Sequence, residues 1–106
     1  MIAASLLLLL AQDAATAPHP PRPLSEDRLT VCLEQARTDP ATAIAEAGNW
    51  AGEATGAEAS YPQQCLGLAY SMLLRWQAAE SAFLAARNAA SDSFRRARLA
   101  TMAGNA

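Results

Sequence analysis

The sequence predicts an all-α domain of antiparallel helices, on three observations. Alanine and leucine dominate, with only two Phe, two Tyr and two Trp in 106 residues, and alanine loses no side-chain entropy on entering a helix. Beyond the first two dozen residues, apolar positions recur at helical spacing. Start signals at Ser25, Asp39-Pro40, Ser60 and Ser91-Asp92 divide that pattern into short segments. Short connections between such segments make successive helices antiparallel neighbours. The length suffices for one small domain.

The first residues read as targeting rather than fold. "MIAASLLLLLAQDAATAP" carries an apolar run from Ile2 to Ala11, too short for the roughly 20 residues a membrane span needs. It matches the h-region of a secretory signal, with small residues after it, so residues 1–17 are assigned to a signal peptide and no stable membrane span is expected. Its n-region holds no Lys or Arg, which leaves an uncleaved, membrane-associated N-terminal segment as the alternative. Residues 18–24, "PHPPRPL", form a Pro-rich linker, because proline has no N–H to donate and disfavours helix in its predecessor. His19 lies there without ligand neighbours and is read as idle.

Residues 25–106 form the helical region. Ser25 caps the first helix, Glu26 and Asp27 suit its dipole, and Leu24 with Leu29 occupies the positions of a hydrophobic staple. Leu29, Cys32, Leu33 and Ala36 form one stripe. Asp39 caps a second helix, with Pro40 at its first position. That helix is expected to bury Ala41, Ile44, Ala45, Gly48 and Ala51, with Trp50 beside the stripe. "GAEAS" breaks it. Ser60 and Gln63 fit the capping box of a third helix, which runs to about Leu73 and turns around "LRW". A fourth spans Gln77 to about Ala90, and Ser91 or Asp92 caps a fifth.

Net charge is −2, so no global field draws the chain to nucleic acid or to an anionic membrane. After Tyr70 the cations Arg75, Arg87, Arg95, Arg96 and Arg98 face only Glu80 and Asp92. "FRRARLA" is read as a solvated helix face in preference to a phosphate- or acid-binding patch. No His lies in the folded region and there is no C-x-x-C. A nucleophile needs a base or a depressed pKa, and a metal needs more ligands than two thiols. No catalytic residue, cofactor or metal is therefore expected.

Leu66-Gly67, Tyr70, Ala79, Phe83 and Ala86 match L-G-x2-Y followed by A-x3-F-x2-A, and this stretch resembles the tetratricopeptide repeat (TPR). Small Gly67 and Ala79 would let two helices of a hairpin approach, while Tyr70 and Phe83 fill the groove to the next. Gln63 stands where the pattern has Trp, and Ser91 where it has Pro. The resemblance implies helix hairpins stacked as a short right-handed α-solenoid: a degenerate repeat over 25–57, a repeat over 60–91, and over 92–106 the first helix of a truncated or capping repeat. A 34-residue step back places Ala45 on Ala79, Gly48 on Ala82 and Asn49 on Phe83, with Trp50 able to supply the bulk. A step forward somewhat longer than a repeat gives Gly104 the role of Gly67.

The family resemblance further implies that Cys32 and Cys65 lie at near-equivalent heights on neighbouring first helices. In an exported protein they are candidates for a disulfide, and in a cytosolic one for two buried free thiols. The resemblance also implies a non-catalytic scaffold whose concave face, built from first helices, grips a protein or peptide segment. Gln64, Leu68 and Ser71, taken as exposed positions of the third helix, would contribute. The Asn/Lys/Arg carboxylate clamp of chaperone-binding members is missing. A periplasmic binding module is the expectation. The alternative is an accessory or N-terminal part of a longer envelope protein or enzyme whose active part lies beyond residue 106.

Overall fold

The structure, a computed structural model, describes residues 24–106. The signal peptide assigned to residues 1–17, His19 and all of the linker but Leu24 lie outside the described residues. Five α-helices and one 3-10 turn fill the described part, with no strand among those residues: α1 (Leu24–Thr38), α2 (Pro40–Glu53), the turn Gly56–Ala59, α3 (Ser60–Met72), α4 (Trp76–Ala89) and α5 (Ser93–Asn105).

The α1–α2 junction follows from two residues. The Asp39 N–H donates to the Gln35 carbonyl at 2.7 Å, closing α1. Its carboxylate accepts from the Thr42 N–H at 3.3 Å and from the Thr42 hydroxyl at 2.7 Å. Pro40 then enters at a position whose N–H would have no helical partner. Asp92 caps α5 in the same way, accepting from the Arg95 N–H at 2.8 Å. At the start of α1 the staple does not form: Leu24 is 85% exposed while Leu29 is buried.

Two expectations fail on tertiary grounds. α2 buries Ala43, Ala47 and Trp50, whereas Ala41, Ala45 and Gly48 are exposed and Ile44 and Ala51 half-buried. The buried face is thus turned by roughly a third of a turn from the alanine stripe. Trp50 is 6% exposed, and one buried tryptophan removes more apolar surface from water than several alanines. Ser60 is not the cap of α3. The 3-10 turn, entered through Gly56 at φ +59°, runs directly into the helix and puts Ala59 at the cap. The fully buried Ser60 hydroxyl instead donates to the Ala86 carbonyl at 2.8 Å and accepts from Arg95 Nη2 at 2.9 Å.

α3 is the central element, packed against α1, α2 and α4. On one side Cys65 and Ala69 join Leu29, Cys32, Ala36, Ala43, Ala47 and Trp50 in an apolar core. On the other, Tyr70 packs on a second core of Ala79, Phe83, Ala86, Ala90, Leu99 and Ala103 from α4 and α5. Gly67 makes that contact possible: a Cβ there would lie 2.5 Å from Phe83 Cε1. Gly104 has no such role, being exposed with nothing within 4 Å of a Cβ.

A disulfide joins Cys32 of α1 to Cys65 of α3, with Cα atoms 6.0 Å apart. α3 ends in a Schellman turn, the Arg75 N–H donating to the Tyr70 carbonyl at 2.9 Å and the Leu74 N–H to that of Ser71 at 3.0 Å. The left-handed position of this motif, which favours glycine, is occupied by Leu74 at φ 59°.

Candidate functional site

Helices α1, α3 and α5 meet along one face of the molecule. A groove of about 210 Å³ runs between them, lined by Leu33 and Arg37 of α1, Gln64 and Leu68 of α3, Phe83 of α4, and Arg98 and Met102 of α5. The floor is apolar for a local reason. With no side chain at Gly67, the Phe83 ring lies against the backbone of α3, and a ring belonging to α4 borders a groove walled by other helices. A narrow slot lined by Gln64, Arg95, Arg98, Leu99 and Met102 continues from it.

Gln64 is only 8% exposed and its Oε1 has no hydrogen-bond partner. A buried amide carbonyl left unpaired costs about 1–3 kcal/mol, so this residue is a polar group held in an apolar floor at a cost to stability. The rim is basic. Arg37 and Arg98 are exposed, and Arg95 lies with its guanidinium 4.5 Å from the Tyr61 ring centroid while donating to Ser60 Oγ. No acidic residue lines groove or slot, and among the described residues none of these three arginines makes an ion pair.

Of the three positions expected on a binding face, Gln64 and Leu68 line the groove and Ser71 does not; its hydroxyl donates to the Gly67 carbonyl one turn back, at 2.8 Å. Gln64 is buried rather than exposed, with Arg95, Arg98, Leu99 and Met102 of α5 bordering the slot beside it. Sequence reasoning missed Leu33, Arg37, Phe83, Arg98 and Met102 as lining residues. Arg95 and Arg98 stand one helical turn apart in "FRRARLA", and their i, i+3 spacing on the side of Leu99 was the available signal.

A larger cavity of about 310 Å³ lies on α1 and α2, bordered by Arg28, Val31, Cys32, Glu46, Asn49, Trp50 and Glu53. Its cation is already occupied, with Arg28 stacked 4.6 Å over Trp50 and 3.5 Å from Glu53. Both cysteines are in the disulfide. No cluster of three His, Cys, Asp or Glu suited to a metal occurs among the described residues, and no helix among them is long and apolar enough to cross a membrane. No family model, curated protein or solved structure matches the chain.

Proposed function

We propose that the chain is a non-catalytic binding module of TPR-type helix hairpins, stacked as a short right-handed α-solenoid, which takes a protein or peptide segment in the groove between α1, α3 and α5. The groove carries the reading: an apolar floor, a basic rim and a buried acceptor with no internal partner. The repeat reading is supported by equivalent buried positions. Leu29, Cys32 and Ala36 are followed 33 residues on by Pro62, Cys65 and Ala69. Cys65 and Ala69 are in turn followed, 34 residues on, by Leu99 and Ala103. The first, third and fifth helices are then the first helices of successive units, and their shared face is the concave one. The second helices keep the period less well, Ala43, Ala47 and Trp50 standing 36 residues before Ala79, Phe83 and Ala86.

Export to an oxidising envelope compartment, the periplasm, is part of the proposal. The apolar N-terminal run and the Cys32–Cys65 disulfide support it together, since such bonds persist outside the reducing cytosol. Selection of a displayed peptide library on the full chain tests the function. Enriched peptides should lose binding to Leu68→Asp and Met102→Asp variants that retain the wild-type circular dichroism. Peptides that bind these variants as well as wild type would defeat the groove assignment.

A further inference from the structure

We infer that the segment taken by this groove is acidic, an extended peptide whose Asp or Glu side chains alternate with apolar ones; the inference rests on the binding function proposed above. Groove and slot together present Arg37, Arg95 and Arg98 and no carboxylate, on a molecule whose net charge is −2. Elsewhere the chain neutralises a cation beside a cavity from within, as Glu53 does for Arg28. Here it does not, among the described residues.

The arginines are also spread out. Arg37 stands on the α1 wall, Arg98 on the α5 wall and Arg95 a helical turn further along. Charge distributed in this way suits several acidic side chains along a segment rather than one terminal carboxylate, and guanidinium groups pair carboxylates in charge-assisted hydrogen bonds. The second observation is independent of charge. Gln64 lines both floor and slot and its Oε1 is buried without a partner; rotation of the side-chain amide toward the groove would offer that acceptor to a backbone N–H, which every residue of an extended peptide except proline carries. Leu33, Leu68, Phe83 and Met102 supply the apolar bed for the intervening side chains. Nucleic acid would use the arginines but would leave that bed and the Gln64 acceptor without purpose.

The test uses the full oxidised chain and fluorescein-labelled, end-capped peptides of equal length built of Val-Glu-Thr-Glu repeats or Val-Gln-Thr-Gln repeats, whose β-branched residues favour the extended form. The expected result is at least about tenfold tighter binding of the Glu peptide, as charge-assisted contacts predict, with the preference shrinking as salt rises. Arg98→Gln and Arg37→Gln, both exposed and safe for folding, should each reduce it several-fold. Equal affinity for both peptides would overturn the acidic preference while leaving peptide binding in place. Failure of both peptides to bind would remove the two proposals together, and tighter binding of a single-stranded oligonucleotide than of the Glu peptide would overturn this one.

Discussion

Reduction of the Cys32–Cys65 disulfide should cost this domain most of its stability. The two cysteines are 33 residues apart. In the chain-entropy model, closing a loop of that length removes about 12.5 cal/mol/K from the unfolded ensemble, or about 3.7 kcal/mol near room temperature. Native domains hold only about 5–15 kcal/mol in total, and small ones lie at the low end. The folded state has little of its own to lose: Cys65 is fully and Cys32 almost fully buried among alanines and leucines, where a thiol packs like a small apolar group. The effect therefore falls on the unfolded chain. For a domain of this size, 3.7 kcal/mol corresponds to a fall in Tm of roughly 15–30 °C. Far-ultraviolet circular dichroism with and without a phosphine reductant measures it, with mass spectrometry of alkylated protein verifying reduction. A fully reduced chain melting within about 5 °C of the oxidised one, a loss near 1 kcal/mol, would refute the loop-entropy account.

Gly67→Ala should destabilise by about 1–3 kcal/mol through overpacking on the Phe83 ring, whereas Gly48→Ala, with open space at its Cβ, should stabilise by about 1 kcal/mol from helix propensity alone; chemical denaturation compares the two, and a stabilising Gly67→Ala would remove that glycine from the α3–α4 contact. Leu74→Gly should raise stability by roughly 0.5–1 kcal/mol, since relief of a left-handed backbone gains about 1–2 and the freer unfolded glycine gives part of it back; Leu74 is 69% exposed, so little packing is lost. Gln64→Met should raise stability by about 1–3 kcal/mol by deleting a buried, unpaired acceptor while weakening peptide binding. A variant that is less stable than wild type would show that the Gln64 amide serves the fold.

Where a helix boundary rests on neighbouring residues, it is legible. Asp39-Pro40 and Asp92 cap their helices through side chains acting three residues away, so their sequence context contains the whole interaction. Ser60 looks equally good locally. Its hydroxyl is instead claimed by Ala86 and Arg95, 26 and 35 residues distant, and no local rule ranks those partners above the capping box. The face of α2 fails for a related reason. A stripe of alanines fits the helical period, yet one tryptophan outweighs it in buried area, so a count of apolar positions points the wrong way. The groove was half legible: Leu68 and Gln64 follow from the face of α3, while Arg37, Arg98 and Met102 join them only because the tertiary fold brings α1 and α5 to the same groove.

An amide chemical-shift titration of the isotope-labelled, oxidised chain with the Val-Glu-Thr-Glu peptide tests the central claim most directly, because every rival surface reports in the same spectrum. Saturable shifts centred on Leu33, Arg37, Gln64, Leu68, Arg98 and Met102 are the predicted result. Shifts centred on the exposed apolar turn from Met72 to Trp76, or on the Arg28–Trp50 cavity, would contradict it.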